Sequence, residues 1–481
     1  MSTCPRLVIA GSHSGVGKSA LTLALVAALK QRGLQVQTFK VGPDYLDPGH
    51  LSRVSGRPCY NLDGWMCGHA YVSRLFAERS ATADIAIIEG VMGLFDGSNP
   101  TALEGSTAQI AAWLKAPVAL VVNSHGMARS LAALVHGYAT FEPSISLAGV
   151  IANFCGSASH ATLLAQALQA ADLPPLFGSM PRNSLPTLPS RHLGLVSAAE
   201  TCWNASLIQQ LVTAAEQHLD LDHLLQQARS AASIAPTTSA PTTSAPVSTT
   251  AVDTVHLGVA RDAAFQFYYP DLFDALQQRG VQLHFFSPLE DTELPAACDG
   301  LYLGGGYPEE YVEQLSTNGS MRASIRAFCT SGRPVYAECG GLVYLSQGLE
   351  KGDGKSQETT GEQAGKRWPL VGVIPSWTRM RSRRKCLGYM EATLQQPSIF
   401  GCTGTKLRGH EFHYSELCND PLESQDWHAA YRVRTNRDNS WRDEGYCRGQ
   451  VLASYIHLHL ASAPEALDGF VAALRKCRRK I

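Results

Sequence analysis

The sequence predicts two α/β domains in tandem, each organised around a mostly parallel sheet. Three observations carry that expectation. Apolar, strand-sized runs alternate with helical patterns over residues 1–229, and the same alternation resumes at residue 253. Residues 11–19 read Gly-Ser-His-Ser-Gly-Val-Gly-Lys-Ser, between an apolar run and a helical pattern. Between the halves, residues 230–251 repeat Pro-Thr-Thr-Ser-Ala and hold no charge and no aromatic ring. Such a segment cannot bury enough apolar surface to offset its chain entropy, so 230–252 reads as a linker. The expected domains are 1–229 and 253–481.

In the first half, Arg6–Ala10, Val36–Lys40, Ile85–Glu89, Val118–Asn123 and Ala148–Asn153 read as buried strands. Ala20–Gln31, Thr107–Leu114 and Ser130–Tyr138 read as helices. In the second half the strands are Val255–Ala260, Gln282–Phe286, Gly300–Leu303 and Pro334–Ala337, with helices Tyr269–Gln278 and Met321–Ser331. The polar stretch Lys351–Lys366 reads as a surface insertion.

Bulk properties narrow the function classes. The chain has 481 residues, a formal net charge of −1 and 45% hydrophobic residues. That charge balance gives no field favouring nucleic acid or a membrane surface. No apolar stretch approaches the roughly 20 residues of a membrane span. The N-terminus enters a strand directly, so no signal peptide is expected. Thirteen cysteines without a C-x-x-C pair fit reduced thiols in the cytoplasm better than a disulfide frame or a zinc site.

Residues 11–19 form a phosphate-binding loop. Small residues let successive backbone N–H groups turn toward phosphate oxygens, and the following helix adds its positive end. Gly11, Gly15, Val16 and Gly17 would supply that cradle. Lys18 would reach the β/γ-phosphates of ATP, and the Ser19 hydroxyl would ligate Mg²⁺. Five residues separate Gly11 from Gly17, one more than the usual spacing. Asp44, Glu89 and Asp96 lie at or just beyond strand ends, where open α/β sheets bind ligands. Mg²⁺ takes only one or two protein carboxylates, so other acids here would orient an acceptor or a water.

The longer loop resembles the dethiobiotin-synthetase-like branch of P-loop proteins. With it, Gly42-Pro-Asp-Tyr-Leu-Asp-Pro48, Asn61-Leu-Asp-Gly-Trp-Met66 and Glu89-Gly-Val-Met-Gly-Leu-Phe-Asp-Gly97 resemble the cobyrinate a,c-diamide synthase family. The resemblance covers nearly the full length, the linker and the insertion apart. It implies that ATP phosphorylates a peripheral carboxylate of a corrin ring and ammonia then displaces the phosphate. By motif match, Tyr45, Leu46 and Asp47 belong to the substrate side. Asp44, Glu89 and Asp96 belong near the metal and the acyl phosphate. Gly149-Val-Ile-Ala-Asn153 resembles the strand end that reads the nucleotide base.

In the second half, Pro334-Val-Tyr-Ala-Glu-Cys339-Gly-Gly-Leu reads as a strand, a sharp turn and a helix. This is a nucleophile elbow carrying a cysteine. The helix N-terminus is expected to lower the thiol pKa. The backbone N–H groups of Gly340 and of Gly305, in Leu303-Gly-Gly-Gly-Tyr-Pro-Glu309, would face a developing oxyanion. Ala453-Ser-Tyr-Ile-His457-Leu-His459 offers His457 as the base. The pattern resembles a class I glutamine amidotransferase-like α/β domain of the cobyric/cobyrinic type, in which the cysteine attacks glutamine and releases ammonia. Ordinary amidotransferases place a Glu two residues after the histidine. Here that position is His459, so a Cys339–His457 dyad is expected. The alternative for Cys339 is a buried core thiol, and for His459 a packed strand histidine. Gly409-His-Glu-Phe-His-Tyr-Ser415 reads as a strand without assigned chemistry. The basic cluster Arg379, Arg381, Arg383, Arg384 and Lys385 reads either as a rim for a polycarboxylate or as a solvated loop.

The expected function is therefore glutamine- and ATP-dependent amidation of cobyrinic acid at its a- and c-carboxylates, in the cytoplasm and with Mg²⁺. The same chemistry on hydrogenobyrinic acid or a nickel sirohydrochlorin is the nearest rival. A ParA-like P-loop switch is the rival from another class, and it would need no nucleophilic cysteine.

Overall fold

A computed structural model describes residues 3–187, 190–191, 194–234, 254–351, 365–381, 385–436 and 440–478. It divides into two compact units, Met1–Thr243 and Ser244–Ile481.

The first unit is built on a seven-stranded sheet. Its strands are β1 (Arg6–Gly11), β2 (Val36–Val41), β3 (Tyr60–Leu62), β4 (Ile85–Glu89), β5 (Val118–Asn123), β6 (Leu147–Cys155) and β7 (Leu176–Pro181). The spatial order is β3-β2-β4-β1-β5-β6-β7, and adjacent strands run parallel. Both faces are covered. Leu7 and Ile9 of β1 join the core that packs helix α1 (Lys18–Gln31), while Val8 and Ala10 join the opposite core with Phe76 and Ile110. This is why β1 reads as an unbroken apolar run rather than an alternating one. The order β2-β4-β1 places three strand ends side by side. Each leads into one of the acidic or glycine-rich motifs, so those motifs converge without any long-range folding of loops. A short hairpin, β8 (Ser190–Arg191) and β9 (Gly194–Leu195), follows.

The expected strand and helix positions recur in the structure to within a few residues, for example α1 at Lys18–Gln31 and β6 at Leu147–Cys155. The chain beyond Arg229 departs from a free linker. Arg6 is fully buried at the start of β1, and a buried guanidinium must satisfy its donors. It donates to the carbonyls of Leu114 (2.6 Å) and Cys4 (3.1 Å), and also to that of Ala232. Ile234 is buried in the same core. Ser230–Ile234 is thereby drawn onto the first unit. The rest of the expected linker, and residues 352–364 of the insertion, lie outside the described residues.

The second unit carries a ten-stranded mixed sheet and a four-stranded one. The large sheet begins with β10 (Val255–Ala260), β11 (Val281–Phe286), β12 (Gly300–Leu303) and β13 (Val335–Glu338), all parallel. The small sheet comprises β14 (Ser346–Glu350), β15 (Arg367–Pro369), β16 (Ile374–Met380) and β19 (Ser415–Leu417). The large sheet is completed by β17 (Cys386–Leu394), β18 (Lys406–His413), β20 (His428–Thr435), β21 (Trp441–Arg448), β22 (Val451–Ser454) and β23 (Ile456–Leu458). Its order is β11-β10-β12-β13-β22-β21-β20-β17-β18-β23. Pairing is parallel as far as β22 and antiparallel beyond it. The parallel part is the half that the alternation of strand and helix patterns announces. The antiparallel meander has one half-exposed face and a mixed pattern, so no such alternation marks it.

The turn after β13 requires close packing. A Cβ on Gly341 would come 2.1 Å from the Leu303 carbonyl oxygen of β12. Gly341→Ala is therefore expected to destabilise the second unit by about 1–3 kcal/mol, an overpacking cost. Thermal unfolding with a probe in that unit checks this; an unchanged midpoint would show that the helix tolerates a shift off β12.

Candidate functional site

In the first unit the phosphate loop leaves β1 and turns into α1 through Gly15 (φ 80°) and Gly17 (φ 91°), a left-handed region that glycine adopts without strain. Val16 is fully buried and pins the loop to the core, leaving backbone rather than side chain for a ligand. Asn153, at the end of β6, donates to the Val16 carbonyl (2.8 Å). Its amide occupies the space a Cβ on Gly17 would need. It braces the loop from beneath. Lys18 folds back over Gly11 and donates to the Met92 carbonyl at 2.6 Å. Burial lowers its pKa and Lys40 adds to this, against Glu89, Asp47 and Asp96.

The acids gather around a lysine that the motif reading passed over. Lys40, on β2, lies 2.6 Å from Asp47 Oδ2, 2.8 Å from Glu89 Oε1 and 3.7 Å from Asp44 Oδ2. Ser19 Oγ sits 2.7 Å from Glu89 Oε1 and 3.1 Å from Asp47 Oδ2. Glu89 Oε2 is buried with no hydrogen-bond partner among the described residues. Burial opposes the charge on Lys40, but the three carboxylates outweigh it and hold its pKa well above the ordinary value. Burial also penalises Asp47, yet Lys40 and the surrounding hydrogen bonds bring its pKa down to about 2. Glu89 is pushed up to about 7, first by burial and then by Asp47. One cation between two buried carboxylates favours ionisation of one and resists that of the other.

Asp44 takes a different place from the one its motif suggests. Its Oδ1 accepts from the backbone amides of Leu46 (2.9 Å) and Asp47 (3.1 Å), opening helix α2 (Leu46–Ser55). Burial and the nearby Asp47 raise its pKa to about 6. Of the expected metal set, Ser19 and Glu89 come together with Asp47, while Asp44 stands at the rim. Tyr45 and Leu46 begin α2 and are half-buried beside them. Asp96 accepts from the Gly93 amide at 2.9 Å, shaping the turn whose Met92 carbonyl holds Lys18.

In the second unit Cys339 sits between β13 and helix Gly340–Leu345 with φ 45° and ψ −96°, a conformation that strains a side-chain-bearing residue. The strain is held by Cys339 N donating to Ser454 O (2.7 Å) and by Val343 N donating to Cys339 O (3.0 Å). A Cβ on Gly340 would approach Gly306 N at 3.0 Å, and one on Gly305 would strike His457 Cε1 at 2.4 Å. Gly305, Gly340 and the His457 ring thus line one spot beside the elbow. Burial, then Glu309, Glu338 and Glu411, raise the thiol pKa well above its ordinary value. This overturns the expectation of a helix-lowered thiol, because desolvation and three acids outweigh a six-residue helix. Burial likewise lowers His457 to about 3, keeping it neutral.

His459 does not take the place of the missing Glu. Its Nε2 lies 3.3 Å from Asp271 Oδ2 and its Nδ1 3.1 Å from Ser462 Oγ. The segment Gly409–Ser415 supplies the floor. His410 pairs with His457 across β18 and β23, and their rings stack at 4.9 Å. The Phe412 carbonyl lies 3.9 Å from Cys339 Sγ. Glu411 is buried between His413 Nε2 (2.8 Å) and Arg442. In the basic cluster, Arg381 and Lys385 pair with Glu416, while Arg383 and Arg384 lie outside the described residues.

Lys40, Glu338 and Glu411 are the residues whose importance motif reading missed. A buried charge placed two strands away in sequence has no local signature, although a lysine at a strand end four residues before Asp44 is a usable hint. Lys40→Met is expected to leave Asp47 and Glu89 without a cation, destabilising the first unit by about 3–5 kcal/mol and abolishing amidation with ammonium. Urea unfolding and an ammonium-dependent assay check it; a variant as stable as the parent would show that the acids take up protons at no cost.

Two family models match the chain. A CobQ/CobB/MinD/ParA nucleotide binding domain matches residues 7–196, and a CobB/CobQ-like glutamine amidotransferase domain matches residues 256–465. A cobyrinate a,c-diamide synthase of Syntrophotalea carbinolica is 53% identical over 472 residues, covering 98% of each chain. One from Leptospira interrogans is 42% identical over 476 residues, covering 99% of each. One from Priestia megaterium is 38% identical over 475 residues, covering 99% of this chain and 98% of its own. The chain belongs to the cobyrinate a,c-diamide synthase family.

Proposed function

We propose that this protein amidates the a- and c-carboxylates of cobyrinic acid, using ATP and glutamine, as a ligase of cobalamin biosynthesis. One observation carries the reading: a phosphate loop faced by Lys40, Asp47 and Glu89 in one unit, and a strained cysteine beside a neutral histidine and two glycine turns in the other.

In the second unit the Cys339 thiol passes its proton to His457 as Sγ attacks the amide carbon of glutamine. The amides of Gly305 and Gly340 receive the oxyanion. The imidazolium returns the proton to the departing nitrogen, which leaves as ammonia. Water then hydrolyses the thioester, giving glutamate and the free thiol. A neutral imidazole and a neutral thiol are the correct starting pair for this exchange.

In the first unit a substrate carboxylate attacks the γ-phosphorus of ATP, giving an acyl phosphate and ADP. Ammonia displaces phosphate from the acyl carbon and leaves the amide. The loop amides and Lys18 hold the phosphates and balance the charge spread over the transferring group. Ser19, Asp47 and Glu89 fit Mg²⁺: they are hard oxygen donors, and Glu89 Oε2 is buried without a hydrogen-bond partner among the described residues. The ion would supply charge neutralisation on the phosphates. Asp44, Tyr45, Leu46 and Asp96 face the acceptor side, with Asp44 and Asp96 setting the two turns that shape it. Asn153 holds the loop that carries the nucleotide.

No helix among the described residues is long and apolar enough to cross a membrane. A cytoplasmic setting fits a sequence whose thirteen cysteines form no C-x-x-C pair.

Cys339→Ala is expected to lose glutamine-dependent amidation by at least about 10³-fold while keeping amidation with ammonium. Lys18→Ala is expected to lose both. Product analysis with each nitrogen source checks the pair; wild-type use of glutamine by the cysteine variant, or ammonium activity in the lysine variant, would overturn the corresponding assignment.

A further inference from the structure

The amidotransferase pattern expects a Glu two residues after the catalytic histidine, and this chain has His459 there, turned to Asp271. We propose that Glu338, the residue immediately before Cys339, takes over that acid's work by holding His457 Nδ1–H and so directing Nε2 at the thiol. It is a positioning residue, and the proposal rests on the assignment of Cys339 and His457 as nucleophile and base.

Four observations support it. Glu338 Oε2 lies 3.9 Å from His457 Nδ1, and both side chains are 2% exposed. Contacts of this kind are often long before substrate closes a site and tighten in the reacting complex. The carboxylate is fixed in place: Tyr302 OH donates to Oε2 at 2.6 Å, Tyr336 OH donates to Oε1, and Leu458 N donates to Oε1 at 3.0 Å. Leu458 directly follows His457, so one carboxylate faces the base's ring at ion-pair range and accepts from the adjoining backbone amide, while its own residue carries the nucleophile's turn.

The fourth observation is one of charge. The fixed partners are two hydroxyls and an amide, all neutral, and the ion-pair partner among the described residues is His457. An anion buried among neutral donors is costly unless a cation meets it. A glutamine would fill the same space, although its NH2 group could not accept from the Tyr302 hydroxyl as Oε2 does. The imidazolium formed when Cys339 gives up its proton is the cation that a carboxylate in this place would serve.

The groups facing Glu338 are Tyr268 before the helix Pro270–Gln278, Tyr302 on β12, Tyr336 and Cys339 on and after β13, Tyr431 on β20, and His457 and His459 on and after β23. Burial pushes its carboxyl up to about 7, against the hydrogen bonds of Tyr302, Tyr336 and Leu458 and the charge of His459. Only the ionised form stabilises an imidazolium. Glutamine hydrolysis should therefore fall as pH drops through this range, although His457 itself stays neutral.

The test compares Glu338→Gln and Glu338→Asp in the full-length protein, with Cys339→Ala beside them. Expected for Glu338→Gln is a loss of about 10²–10⁴-fold in kcat for glutamine hydrolysis, a KM within a few-fold of the parent's, and loss of the acidic limb from kcat/KM. Ammonium-dependent amidation should persist, and thermal unfolding with a probe in the second unit should show that this unit is folded. Glu338→Asp keeps the charge on a shorter arm, so it should recover part of the rate and retain the acidic limb. A folded Glu338→Gln with parental kcat and an intact limb overturns the proposal. If that variant does not fold, a Glu338→Asp variant with parental kcat but no acidic limb overturns it equally. Retained glutamine hydrolysis by Cys339→Ala would instead overturn the nucleophile assignment, a separate failure.

Discussion

A carboxylate buried at the last position of a parallel strand is the constraint on which both halves of this protein depend. Glu89 ends β4 and Glu338 ends β13, and each is almost wholly removed from water. Desolvation of an unmatched carboxylate costs several kcal/mol, so the surroundings must be built to meet it. Around Glu89 the answer is a cation, Lys40, together with the Ser19 hydroxyl. Around Glu338 it is two tyrosine hydroxyls and one amide, with an imidazole beside them. The first arrangement leaves a charged, oxygen-rich pocket suited to phosphate and metal chemistry. The second leaves an anion ready for a cation that exists only during turnover.

Sheet topology makes these arrangements cheap to assemble. In an open parallel sheet all strand ends of one sense lie along one edge. The order β2-β4-β1 therefore sets Lys40, Glu89 and the phosphate loop side by side although they are far apart in sequence. The order β12-β13-β22 does the same for Gly305, Cys339 and the turn that leads to His457. Fixing the functional groups at strand ends uses rigid elements as the support. The strained φ of Cys339 is possible because hydrogen bonds to Ser454 and Val343 hold both sides of the turn.

Membership in one family accounts for the pairing of these two units, but not for every residue at their sites. His459, two residues after the candidate base, is buried against Asp271 and Tyr269. The Gly409–Ser415 segment, which has no evident motif chemistry, lines the cysteine site through the Phe412 carbonyl and the His410 ring. Both features arise from β18 and β23, strands joined antiparallel at the far end of the sheet from β11.

By itself the sequence determined everything that depends on local pattern. The strand–loop–helix at residues 6–31, the acid at the end of Ile85–Glu89 and the strand–cysteine–helix at 335–345 all carry their structure in adjacent residues. Turn sterics and hydrophobic period act over such short spans. Tertiary structure alone decided what lies across from what. It put Asp47 rather than Asp44 beside Ser19, used Asn153 as a brace, gathered Ser230–Ile234 onto Arg6, raised the pKa of the Cys339 thiol despite the helix Gly340–Leu345 that follows it, and turned Glu338 toward His457. Each of these is set by burial and charge between strands distant in sequence. Desolvation depends on all the neighbours at once, and no window of the chain contains them.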